Sequence, residues 1–189
     1  MTEDKKLRLF VAAAVPEEEL ERLERLIEPL RHQLPGARWT PPASRHVTLK
    51  FLGATSPAMI GDVERAIEVA AAGRTPARVS LDGLGTFPSA RRVRVLWAGL
   101  DDASSLLGDL ASALDRTLEP LGFASEKRAF TPHLTLARFR EPIRLGAPLP
   151  ALPRAESVPW EVASIELFRS YLSPRGARYE VIASAPLGT

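Results

Sequence analysis

Two of the three histidines in this 189-residue chain sit in one repeated phrase, His-apolar-Thr-Leu: HVTL at 46–49 and HLTL at 133–136. Side chains alternate between the faces of a strand, so His46 and Thr48 share one face and Val47 and Leu49 the other. His133 and Thr135 stand in the same way against Leu134 and Leu136. Each phrase buries an aliphatic pair and presents an imidazole beside a hydroxyl. Imidazole titrates near neutrality, so a neutral ring can take a proton while a charged one gives a proton. In-line displacement at phosphorus needs a base on the attacking side and an acid on the leaving side. Threonine hydroxyls can donate to the nonbridging oxygens and hold the phosphate between the rings.

Rival chemistries fit less well. Two histidines are too few to hold a metal, neither phrase contains Asp or Glu, and Glu126 and Glu141 are the nearest candidates. There is no cysteine, which excludes thiolate chemistry, disulfides and a thiolate zinc site. No Gly-x-Ser-x-Gly elbow occurs, and GLGTF at 83–87 lacks the Gly-Lys of a phosphate-cradling loop. A reaction without metal or cofactor is expected.

The elements that must carry these phrases are legible from periodicity. Leu7 to Val15 reads as a strand, and Pro16 opens a helix to about Leu34 with Leu20, Leu23, Ile27 and Leu30 at helical spacing. His46 to Leu52 is a strand ended by Gly53. Ser56, as cap, and Pro57 open a second helix that Gly73 stops. Arg78–Leu81 and Val93–Ala98 read as strands separated by a loop, GLGTFPSARR. Asp101 and Asp102 cap a third helix, carrying Leu106, Leu107, Leu110, Leu114 and Leu118. Strands follow at His133–Phe139, Glu161–Phe168 and Arg178–Ala183, with an irregular proline-rich stretch, 141–159, between the first two.

His46 and His133 are 87 residues apart, and sliding the chain by that offset aligns more than the histidines. Leu9-Phe10-Val11 falls on Leu96-Trp97-Ala98, Leu20 on Leu107, Leu23 on Leu110 and Ile27 on Leu114. The 78–81 strand falls on Ile165–Phe168, and the Ser56 helix on the proline-rich stretch. Strand, helix, His-x-Thr strand and later strand thus occur twice. The expectation is an α+β fold spanning 1–189 as one bilobal domain. Two pseudo-symmetric lobes would each hold an antiparallel sheet with helices outside, the sheets facing each other across a cleft. The symmetry would bring the two His-Thr pairs together.

Composition narrows the setting. The formal net charge is +2, so the chain is no duplex-coating protein. Its basic residues gather near the two phrases: Arg38, Arg45, Lys50, Arg91, Arg92, Arg94, Lys127, Arg128, Arg138 and Arg140. A basic rim around a small anionic site is the functional reading of that clustering. No apolar run approaches a membrane span, and the start of the chain reads as a first strand rather than a leader. A cytoplasmic monomer is expected.

The paired HxTx phrases resemble the signature of the 2H phosphoesterase superfamily. RLFVAAAVP, RWTPPASRHVTLKFLG, LGTFPSARRVRVLWAGL, GFASEKRAFTPHLTLAR and IELFRSYLSPRGARYEVI, in that order, are similar to the bacterial and archaeal RNA 2′,3′-cyclic phosphodiesterases, also called 2′-5′ RNA ligases. The resemblance covers essentially the whole chain. It implies metal-independent hydrolysis of a 2′,3′-cyclic phosphate at an RNA or nucleotide end to a 2′-phosphate, and a reversible 2′-5′ joining of RNA ends. It further implies His46 as proton donor to O3′, His133 as proton acceptor from water, and Thr48 and Thr135 as phosphate ligands. Arg45 departs from the pattern, standing where these proteins usually carry Leu or another uncharged residue, and bears on substrate preference.

Other residues are open to two readings. By strand parity Arg138 faces away from His133, so it reaches the phosphate only where the strand twists or bulges. Phe10 and Phe139 are candidates to stack on a base, Phe139 sharing the parity of His133. His32 reads as an exposed helix residue, and Trp97 and Trp160 as packing. Two further functions remain: a cyclic phosphodiesterase of small nucleotides, such as ADP-ribose cyclic phosphate or 2′-5′ oligonucleotides, and a non-catalytic module binding RNA ends.

Overall fold

An unbroken apolar run makes the first strand a buried one: Leu9 to Ala13 are all buried, so β1 (Leu7–Ala13) has neighbours on both edges and cover on both faces. The computed structural model of the chain describes residues 6–150, 152, 157–173 and 176–188. Helix α1 (Glu17–Gln33) follows, then β2 (Arg38–Trp39), β3 (Val47–Thr55), α2 (Ile60–Ala71), β4 (Ala77–Ser89) and β5 (Arg92–Asp101). Helix α3 (Leu106–Leu118), β6 (His133–Ile143), β7 (Trp160–Val162), β8 (Ser164–Ser173) and β9 (Gly176–Pro186) complete the chain.

All strand pairs are antiparallel, in the order β7-β4-β5-β6-β3-β1-β8-β9, with β2 added on β6. Two four-stranded lobes can be read from that order, β9-β8-β1-β3 and β7-β4-β5-β6. They meet where β3 lies beside β6, through one residue pair among those described, Val47 with Leu134. Elements at the 87-residue offset take equivalent places: β3 and β6 at the junction, β1 and β5 next, then β8 and β4. The last pair is exchanged. β4, from the first repeat, pairs with β5 of the second, and β8, from the second, pairs with β1 of the first. The expected pseudo-symmetric α+β architecture is present, with each lobe completed by a strand of the other repeat.

The phrases bury their aliphatic partners as the alternation requires: Val47, Leu49, Leu134 and Leu136 join Leu9, Val11, Leu96, Ala98, Ile165 and Leu167 in the core. The helices cover this face. Helix α3 packs on β3 and on α2, and α2 packs on β8 and β9. Burial of a large aliphatic side chain contributes about 1.5–3 kcal/mol, so these layers outweigh local propensity in holding the sheet curved.

Four sequence expectations need correction. The single strand expected at Glu161–Phe168 is two, β7 and β8, divided at Ala163, the first pairing with β4 and the second with β1 and β9. The GLGTFPSARR stretch is not a loop, because β4 runs through it to Ser89 and turns tightly into β5 at Arg92. A bulge between Leu81 and Leu84, with Gly83 at positive φ, lets the strand bend without breaking. Ser56 does not cap a helix with its side chain; Pro57–Met59 form a 3-10 turn on the Ser56 carbonyl before α2 begins. The proline-rich stretch is shorter than expected, since β6 extends to Ile143; its residues 151 and 153–156 lie outside the described residues.

Candidate active site

His46 immediately precedes β3 and His133 begins β6, so the Val47–Leu134 bridge sets both imidazoles at the junction of the lobes. The same local device holds each ring. The Nδ1 of His133 lies 2.7 Å from the Thr131 carbonyl oxygen, and a ring N–H of His46 is bonded to the backbone of Ser44. A carbonyl only accepts, so Nδ1 of His133 carries the hydrogen and Nε2 keeps its lone pair for chemistry. Burial pushes His46 down to about 4, with Arg138 and His133 lowering it further against the Ser44 bond. Burial also lowers His133, with Arg138 adding to it against the Thr131 bond. Both rings therefore favour the neutral form before an anion arrives. His46, His133 and Arg138 sit within electrostatic reach of one another.

Arg138 arrives by a bulge. Leu96 pairs with Ala137 and Trp97 with Thr135, so Leu136 is an extra residue in β6. The extra residue reverses parity: Ala137 and Phe139 turn to the core, and Arg138 joins His133 and Thr135 on the open face. Leu49 is the corresponding extra residue in β3, between the pairs Val11–Lys50 and Ala12–Thr48. There the reversal turns Lys50 inward and places Phe51 on the open face, 66% exposed. The phrase His-x-Thr-Leu thus ends, in both repeats, on the residue that redirects the strand.

The aromatic expectations change accordingly. Phe139 is buried in the core and is not placed to stack on a base. Phe10 is 3% exposed, and its ring lies against His46 at 4.5 Å between centroids with the planes 27° apart. It backs the imidazole rather than offering a face to a ligand. Phe168 and Tyr179 complete the enclosure, the Tyr179 edge 5.0 Å from His46 and Phe168 stacked on Phe10 at 5.1 Å. Around His133 the neighbours are Phe87 at 5.1 Å, edge-on, and Trp97 at 6.0 Å. Trp97, read as packing, is a half-buried residue of the open face. Its indole lies across Gly85, where an added Cβ would fall 2.1 Å from the ring. Trp160 does pack in the core, and His32 is exposed, beside Glu28. Trp97 was findable, because the offset places it on Phe10.

Two members of the basic cluster are not at the rim. The Arg45 side chain is wholly buried, paired with Glu24 of α1 and donating to the Thr40 carbonyl at 2.9 Å. It fastens the residue before His46 to α1 and faces away from the imidazole. Lys50 is buried with Asp115 of α3 and donates to the Ala124 carbonyl. Arg38, Arg91, Arg92, Arg94, Lys127, Arg128, Arg138 and Arg140 remain exposed, on β2, the β4–β5 turn, β5, the loop before β6 and β6 itself. Thr48 and Thr135 are half-buried on the open face, Thr48 opposite Ala12 and Thr135 opposite Trp97. Among the described residues no group of three or more His, Cys, Asp or Glu side chains is arranged to hold a metal ion. No described helix is long and apolar enough to cross a membrane.

A duplicated antiparallel fold with one histidine from each repeat at its junction, and a hydroxyl two residues beyond each, defines a two-histidine phosphoesterase. Residues 14–97 and 100–179 match in turn the LigT like phosphoesterase family, and the chain belongs to it. Among its relatives, an RNA 2′,3′-cyclic phosphodiesterase of Methanothermobacter thermautotrophicus is 29% identical over 92% of this chain and 95% of its own length. One of Aquifex aeolicus is 30% identical over 97% of this chain and 99% of its own. The crystal structure of TT0787 of Thermus thermophilus superposes with a TM-score of 0.75 at 30% identity, covering 96% of this chain and 98% of that one.

Proposed function

We propose that the chain hydrolyses 2′,3′-cyclic phosphates at RNA ends to 2′-phosphates without a metal. The observation that carries this reading is the Nδ1 bond of His133 to Thr131, which leaves a neutral Nε2 on the open face beside a second, independently held imidazole. His133 takes a proton from water as the water oxygen bonds to phosphorus. The P–O3′ bond breaks in line, and His46 delivers its proton to O3′. Thr48, Thr135 and Arg138 bind the nonbridging oxygens. The bound anion supplies what the free site lacks, raising the affinity of His46 for the proton it must give. The relatives' naming as RNA 2′,3′-cyclic phosphodiesterases supports the RNA-end substrate. In-line geometry puts the ribose on the His46 side, where exposed Phe51 offers a stacking face for the base in place of Phe10 and Phe139. The same displacement with an RNA 5′-hydroxyl in place of water, the 5′ oxygen bonding to phosphorus as P–O3′ breaks, forms a 2′-5′ linkage.

The test is product analysis on an oligoribonucleotide ending in a 2′,3′-cyclic phosphate. A 2′-phosphate end is expected; a 3′-phosphate end, or no turnover on this and on small cyclic nucleotides, overturns the reading.

A further inference from the structure

Beyond His133 the open face continues into a groove of about 550 Å³ lined by Phe87, Pro88, Arg94, Val95 and Arg128. That volume lies in the range of about 300–1,000 Å³ in which small ligands bind. The strand register ties the groove to the site: Val95 is opposite Phe87 on one side and Arg138 on the other, so the three form one row across β4, β5 and β6. Phe87 is both the groove wall and the edge-on neighbour of His133. Arg94 is the extra residue where Phe87 pairs with Val95 and Pro88 with Val93, and the bulge carries its guanidinium out of the ladder. One of its N–H groups donates to the Arg140 carbonyl at 3.2 Å. Arg128 is exposed on the facing loop, and the nearby Glu126 carboxylate is turned to the backbone N–H groups of Lys127 and Arg128.

We infer that this groove receives the first nucleotide of a 5′-hydroxyl RNA strand, the nucleophile of the joining reaction, with Arg94 and Arg128 on its 3′-phosphodiester. The inference rests on the reading of His133 as the base. An attacking oxygen must approach from the base side, opposite the departing O3′, and the groove opens on that side. An apolar floor with two cations suits a base or ribose followed by one phosphate. Water needs no such surface. The step balances: the 5′ oxygen bonds to phosphorus and its proton passes to His133, while P–O3′ breaks and O3′ takes the proton of His46.

The experiment measures the partition of a mononucleoside 2′,3′-cyclic phosphate between hydrolysis and 2′-5′ joining, with rising 5′-hydroxyl dinucleotide or free nucleoside as acceptor. Wild-type protein should use the dinucleotide at least about tenfold more efficiently than the nucleoside, an advantage that added salt reduces. The Arg94→Gln/Arg128→Gln double variant should lose that advantage and keep hydrolysis within about twofold. Equal use of both acceptors, an unchanged advantage in the variant, or parallel loss of hydrolysis overturns the subsite. Hydrolysis without joined product also overturns the subsite, but leaves the hydrolytic function standing. Absence of wild-type hydrolysis removes both.

Discussion

Val47 and Leu134 are mutual Cα partners and form the one described bridge between β3 and β6. Each follows a histidine, so the narrowest contact between the lobes is also what spaces the two imidazoles. The site is symmetric in its backbone and asymmetric in its lining. His46 has Phe10, Phe168 and Tyr179 around it, whereas His133 has Phe87 and Trp97.

Replacing either histidine by alanine should lower turnover by roughly 10²- to 10⁴-fold, the usual worth of a positioned acid or base. Thr48→Ala and Thr135→Ala should each cost less, since a hydrogen bond is lost rather than a proton-transfer group. Steady-state rates on a natural substrate and on one with an activated leaving group separate the roles. The activated group should largely rescue His46→Ala and should not rescue His133→Ala; the opposite pattern reverses the assignment.

The pH profile follows from the two lowered imidazoles. The productive free enzyme holds one proton on the pair, a state bounded by about 4 for His46 and by a His133 value below the ordinary 6.5. kcat/KM should therefore peak on the acid side of 6.5 and fall as pH rises past the upper limb. A bound anion raises both groups, so the kcat optimum should lie higher. A kcat/KM optimum above pH 7 would contradict the burial of these rings.

Activity should persist in excess EDTA. Complete loss restored by a divalent ion would show that a metal supplies the charge assigned here to His46 and Arg138.

Arg45→Ala should destabilise the protein by about 1–3 kcal/mol in urea unfolding, because the Thr40 carbonyl and one oxygen of Glu24 lose a buried donor while Arg31 keeps its pair with the other. Arg45→Met combined with Glu24→Leu should recover much of that loss. A change below about 0.5 kcal/mol in the single variant would show that the pair contributes little.

Gly85→Ala should displace the Trp97 indole, since the new methyl falls inside the ring's space. A cost of about 1–3 kcal/mol and a shift in tryptophan emission are expected, with Trp39 and Trp160 as constant background. Unchanged emission would mean that the indole does not lie over Gly85.

Much of this site was legible because alternation is local. Val47, Leu49, Leu134 and Leu136 could be assigned to the core, and the histidines to the open face, from two phrases alone. Arg45 shares the parity of Val47, so its burial was also readable; its charge concealed it. The errors about Phe139 and Lys50 share another cause, the same that brings Arg138 to the open face. Each lies just past Leu49 or Leu136, where an extra residue in the ladder reverses parity, and no glycine or proline marks either bulge. Phe168 and Tyr179 were out of reach for a different reason. They reach His46 only because β8 crosses to the other repeat's lobe, a pairing that no local pattern encodes.

The exchanged strands also bear on how the protein is made. Leu9 pairs with Arg169 and Phe10 with Phe168, so a strand near the beginning of the chain waits for one near its end. Until the ribosome has released the β8–β9 hairpin, one edge of β1 stays open and His46 lacks two of the three rings around it, Phe168 and Tyr179. Contacts of such long sequence separation form late and slowly. A half-synthesised chain therefore carries the first His-x-Thr phrase without part of its aromatic enclosure and without its counterpart at 133–136.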